Sequence, residues 1–287
     1  MTFTIRVALG VALVGALAVH SVDAQTPDRA KTLRAAAEAL GMDRWSDIGS
    51  AANTRLPGID IVNTQELIAS GMTDVGGRMV KTDVHVALGY NPAAMRVELT
   101  PEGGAAQHTI ETVRETWAWN ESQIGGGLVP GKGTATPAMA AVRERLLRLW
   151  TLPFGVVKAA YAGGDKTVVS TEGGATVITA PLGGPLAGMS VRATLDAKSL
   201  ITKVEARADN PALANLASEA TQMEYSDYAD HAEVLTDIKT PGHIVGKRDG
   251  RTVFDLTVKS WETNNPYVVF PVPPNVKAAS AASPTSR

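Results

Sequence analysis

QMEYSDYADHAEVLTDIKTPGHIVGKRDGRTVFDLTVKSW, residues 222–261, reads as three consecutive antiparallel strands. In the first, Met223 and Tyr225 share one parity while Gln222, Glu224 and Ser226 share the other, the period-two alternation of a half-buried strand. The second, His243 to Lys247, follows Pro241-Gly242. The third, Thr252 to Ser260, sets Phe254, Leu256 and Val258 against Asp255, Thr257 and Lys259. Arg248-Asp249-Gly250-Arg251 joins the last two through an Asp-Gly pair, which accepts the positive φ of a tight hairpin. The stretch therefore builds an amphipathic sheet with one face to be covered.

The alternation recurs upstream. Val80, Val84, Val86, Leu88 and Tyr90 lie on one parity, and Met95, Val97 and Leu99 continue it after an Asn91-Pro92 turn. Gln107 to Asn120 reads as one strand in which Val113, Trp117 and Trp119 share a face with Glu111 and Glu115. Its two tryptophans make either a core wall or a ligand platform. Four more strands follow at Lys166 to Thr171, Ala175 to Ala180, Ser190 to Asp196 and Leu200 to Asp209. By contrast, Gly41, Gly49, Gly58, Gly71 and Gly76-Gly77 break up residues 42–75, which read as an irregular strand near Ser46 to Thr54 and then loop.

Three helices are expected. Thr26 and Pro27 start the first and Gly41 stops it, with Ala30, Leu33, Ala37 and Leu40 on one stripe. Thr136 and Pro137 start the second, which carries Met139, Val142, Leu146, Leu149 and Trp150 on one face. Pro153 breaks it and opens the third, Phe154 to Ala162. This pair acts either as a lid or as a plain cover for the sheet. The expected fold is mainly β (α+β): a curled antiparallel sheet, or unclosed β-barrel, of about ten or eleven strands with helices on its concave side. Small residues at Ala87, Gly89, Ala193, Ala206 and Ala208 leave open whether its interior is filled or hollow.

Composition removes several function classes. A formal net charge of −2 over 287 residues leaves no electrostatic footprint for nucleic acid. Cysteine is absent, which excludes disulfides, thiol nucleophiles and thiolate metal sites. Arg6, the apolar run Val7 to Val19 and Val22-Asp23-Ala24 form a signal-peptide pattern over residues 1–24, with cleavage near Ala24 into a periplasmic or secreted compartment. Residues 25–276 form one domain, and 277–287, mostly Ala, Ser, Thr and Pro, read as a disordered tail. Gly126 to Lys132 imitates a phosphate loop, but Gly133 stands where the hydroxyl belongs and no buried parallel strand precedes it. His85, His108, His231 and His243 fall at no metal-ligand spacing, and there is no G-x-S-x-G elbow. Neither cofactor nor metal is implied.

A resemblance adds to this. Tyr225-Ser226-Asp227-Tyr228, Thr240-Pro241, His243-Ile244-Val245 and Asp255-Leu256-Thr257-Val258 resemble the closing strands of an exported bacterial domain of the LolA and LolB lipoprotein-sorting type. Trp117-Ala118-Trp119-Asn120, residues 152–160 (LPFGVVKAA) and Asp209-Asn210-Pro211 fall in the same order upstream. That domain often precedes a metallo-β-lactamase-fold hydrolase, whose H-x-H-x-D-H motif has no counterpart here. The resemblance implies a non-catalytic carrier for a lipid-like ligand, an acyl chain or apolar segment, with Trp117, Trp119, Met223, Tyr225, Phe254 and Leu256 as candidate lining. Two alternatives stand beside it: an interaction module for a separate exported hydrolase, and an unrecognised enzyme in which His85 or His108 meets carboxylates in a cleft.

Overall fold

The computed structural model describes residues 27–42, 59, 62–104, 108–230 and 238–282. The expected signal peptide, the strand near Ser46 to Thr54 and His231 lie outside them. In chain order the elements are α1 (Arg29–Ala39), β1 (Thr64–Val75), β2 (Arg78–Tyr90), β3 (Ala93–Pro101), β4 (Thr109–Arg114), β5 (Trp117–Glu121) and β6 (Ala135–Pro137). There follow α2 (Val142–Trp150), α3 (Pro153–Gly163), β7 (Val168–Glu172), β8 (Ala175–Pro181), β9 (Met189–Leu195), β10 (Ile201–Ala208) and α4 (Ala214–Glu219). The chain ends with β11 (Gln222–Ser226), β12 (Ala229–Asp230), β13 (Lys239–Thr240), β14 (His243–Arg248), β15 (Arg251–Thr263) and α5 (Pro274–Ala282).

Thirteen strands form one antiparallel sheet in the order β6-β5-β4-β3-β2-β1-β15-β14-β11-β10-β9-β8-β7, and β12 pairs with β13 apart from it. The expected strand count was low for three reasons, one of them the short edge strand β6 where a helix start was expected. Gln107 to Asn120 is a hairpin, not one strand: Glu115 adopts φ 51° and the chain reverses into β5. Residues expected to be loop form β1, which lies between β2 and β15 near the middle of the sheet. Gly71, which breaks the apolar period of β1, is required there, because a Cβ would sit 2.0 Å from the Asp255 carbonyl oxygen.

The helices show that the sheet curls. Arg145 of α2 donates from Nη1 to Thr112 O in β4 at 3.0 Å and Trp119 O in β5 at 2.7 Å. At the junction with α3, Thr151 O accepts from Tyr225 Oη of β11 at 2.8 Å, and Phe154 lies 6.4 Å from Trp261 of β15. Beyond them α3 packs on β8. In a flat sheet, β5 and β8 would stand roughly 48 Å apart at about 4.8 Å per strand. Two helices of 9 and 11 residues span only about 14 and 17 Å, so the sheet wraps around them. Phe154, Val156, Val157, Leu146 and Leu149 are buried against its inner face.

Three boundaries differ from expectation. Asp28 rather than Thr26 caps α1, accepting from Lys31 N at 3.0 Å. Thr136 and Pro137 belong to the edge strand β6, and α2 begins only at Val142. Part of the expected tail is ordered as α5, whose Val276 is buried with Val272 and Ala135 against Trp119. The chain after β15 thus straps the outer face of β1 to β6. Asn265 Nδ2 donates to Glu66 at 2.9 Å, Phe270 packs on Ala87 and Ala94, and Asn275 Nδ2 donates to Ala135 O at 2.7 Å.

Candidate functional site

The curl leaves space between the helices and the middle of the sheet. A cavity of about 460 Å³ lies among β3, β2, β1, β15, β14 and β11, roofed by α2 and by α4. Its wall is apolar, with Val84 and Val86 from β2, Val97 from β3, Ile244 from β14, Leu256 from β15 and Leu147 from α2. Such walls suit an apolar guest, and the volume lies within the range of small-molecule sites. Exposed Gly76, Glu219, Arg248 and Arg251 also line it, so it reaches solvent at the end where the β14–β15 hairpin meets α4.

Charges around the cavity are mostly matched. Arg148 binds Glu144 one turn back and Glu111 at 2.7 Å. Burial acts to lower the Arg148 pKa, but the two carboxylates outweigh it and hold the value above the ordinary one. Arg251 meets Asp74 at 2.8 Å, and Asp74 also accepts from Gly77 N at 2.6 Å. Among the described residues Arg248 has only the Thr221 hydroxyl, 3.4 Å from Nη2.

The residues expected as lining divide. Met223, Phe254 and Leu256 border the cavity. Tyr225 does not: its ring is buried beneath, with the hydroxyl spent on Thr151 O. Trp117 and Trp119 are on the wrong side of the sheet. In the β4–β5 hairpin Val113 faces Ala118, and both enter the main core, so Trp117 and Trp119 point outward with Arg114 and Thr112. There Trp119 is covered by Val272 and Val276 and donates from Nε1 to Glu121 at 2.8 Å. Ala87 and Gly89, expected inward, also face the strap, whereas Ala193 is in the inner core. Sequence reasoning missed α4, whose Leu216 and Ala220 side supplies part of the roof; Asn210-Pro211, where Asn210 accepts from Ala212 N at 3.0 Å, is the start signal that points to it.

The histidines do meet carboxylates, but away from the cavity. His85 Nε2 is 2.6 Å from Glu66, and His108 Nε2 is 2.8 Å from Glu98, which also approaches His85 Nδ1 at 3.5 Å. His243 Nε2 is 2.7 Å from Asp255, with Ser226 Oγ 3.3 Å from Nδ1. Both groups are cross-strand ladders on the outward face, which no single-sequence spacing reveals. Among the described residues no group of His, Asp and Glu is arranged to hold a metal ion.

Fold and site together define an open, curled antiparallel sheet wrapped around a helix pair, with an apolar cavity that reaches solvent. No family model and no curated protein matches the sequence. Among solved structures the chain is similar to a DUF1329 family protein from Desulfovibrio piger, at 8% identity and a TM-score of 0.45 over 82% of this chain and 93% of that one. It is also similar to a LolA superfamily protein from Nitrosomonas europaea, at 9% identity and a TM-score of 0.44 over 81% and 94%. The second carries the superfamily name that the sequence resemblance implied. At these identities and scores neither carries a function to this chain, and neither supports a hydrolase partner. No helix among the described residues is long and apolar enough to cross a membrane.

Proposed function

We propose that this protein is a non-catalytic carrier that holds an acyl chain between its sheet and α2, exported by the signal-like segment at residues 1–24. The apolar cavity carries this reading. At roughly 30 Å³ for a water-sized group, its 460 Å³ hold one chain of about fifteen carbons. Each methylene moved from water to that wall contributes about 0.8 kcal/mol, close to a fourfold gain in affinity.

A series of single-chain amphiphiles, measured by displacement of a fluorescent acyl probe, tests it. Affinity is expected to climb by about that factor per carbon and level off near fifteen. Val97→Trp, placed on a half-buried position of the wall, is expected to cut binding of the longest chain at least about tenfold by occupying its space. Affinities independent of chain length, together with an inert Val97→Trp, would sink the proposal.

A further inference from the structure

The end of the β14–β15 hairpin carries an imbalance that the fold itself does not resolve. Arg248 and Arg251 are direct cross-strand partners, so two guanidinium groups stand on the same face at the closing pair of the hairpin. Like charges directly opposite each other destabilise a strand pair. Only one is neutralised. Arg251 has Asp74 at 2.8 Å, while Arg248 has no carboxylate among the described residues and only a long contact to the Thr221 hydroxyl. Both arginines border the apolar cavity, and Arg248 is exposed beside its opening.

A cation without an anion among the described residues, at the open end of an oily slot sized for one chain, is complementary to a single-chain anionic amphiphile. We infer that the hairpin is a head-group clamp: Arg248 donates to a carboxylate or phosphate monoester whose hydrocarbon tail fills the cavity. This rests on the acyl-chain reading above. Arginine suits the role because its planar fork donates two parallel hydrogen bonds to either head group. The remaining rim charge acts the other way. Glu219 at the end of α4 borders the same opening and has no cation partner among the described residues, so its field opposes an anionic head and weakens binding.

Dodecanoate and dodecanol, compared below micelle-forming concentration near neutral pH, share a tail and differ in the head. The wild-type chain is expected to bind dodecanoate about tenfold more tightly, the scale of one charge-assisted hydrogen bond. Arg248→Gln is expected to bring dodecanoate down to the dodecanol level without changing dodecanol binding, which also shows that the variant is folded. Glu219→Gln is expected to tighten dodecanoate binding. If dodecanol binds and dodecanoate binds no better, the clamp is wrong and the acyl-chain reading stands; if neither binds, both fall. Millimolar inorganic phosphate is expected to leave dodecanoate bound, and its displacement of dodecanoate would identify a free-anion site in place of the clamp.

Discussion

Phe254 reaches the cavity because of what is missing opposite it. Its ring lies across Gly246, its partner on β14, so closely that a Cβ there would meet ring carbons at 2.3 and 2.4 Å. Glycine inside a strand usually weakens it, but here the gap is filled by an aromatic neighbour. Gly246→Ala therefore forces the ring off its seat, toward the space a ligand needs. Overpacking of this kind costs about 1 to 3 kcal/mol. The expected result is an unfolding free energy lowered by that amount, read as a lower urea midpoint with an unchanged slope, accompanied by weaker binding of long chains. An alanine variant as stable as the parent would mean that the ring moves freely and does not shape the wall.

Elements in which one side chain parity is buried were legible, and those governed by a long-range partner were not. Val84, Val86 and Leu88 in β2, like Ile244 and Leu256 in the closing strands, bury the parity that alternation assigns them. The β4–β5 hairpin was misread because a two-residue reversal at Glu115-Thr116 exchanges the apparent parity, and Val113 pairs with Ala118 rather than sharing a face with the tryptophans. Gly71 looked like a breaker since the Asp255 carbonyl that excludes its side chain lies far along the chain. The cavity itself was legible only in part, because its walls come from strands paired across long separations and its roof includes α4. The strap was missed for a similar reason: Phe270 lies in the apolar run Tyr267 to Val272, which has no alternation to mark a buried face, and its seat is made by Ala87, Ala94 and Arg96, whose guanidinium lies 5.8 Å from the ring centroid. Phe270→Ala is expected to weaken strap docking by about 3 kcal/mol. Limited proteolysis should then clip the chain after residue 264 while the sheet stays protected; loss of strap and sheet in one step would show that they fold as a unit.

At the scale of the whole molecule, three phenols tie the core together: Tyr225 and Tyr90 meet the helix pair, and Tyr228 binds β10. Tyr90, Tyr225 and Tyr228 direct their hydroxyls to Gln65 Oε1 at 3.3 Å, Thr151 O at 2.8 Å and Ile201 O at 2.6 Å. Burial raises all three pKa values; Asp196 adds to this at Tyr228, and a backbone contact from Gly155 opposes it at Tyr90. In the unfolded chain each phenol ionises near pH 10, whereas in the folded chain each keeps its proton above that point. The folded state therefore holds more protons in this window, and the stability these groups contribute is intact below about pH 10 and drains away as pH rises toward the folded values. Three groups acting together give a loss of about 4 kcal/mol per pH unit. Against a net stability of about 5 to 15 kcal/mol, alkaline unfolding should be steep and cooperative. Urea titrations at several pH values above about 10 measure the slope, and Tyr228→Phe is expected to reduce it by roughly one third. Absorbance of tyrosinate from these groups should appear together with loss of the sheet signal, because their ionisation requires the core around them to open. Ionisation of all three in a chain that stays folded would show that the core around them opens without unfolding.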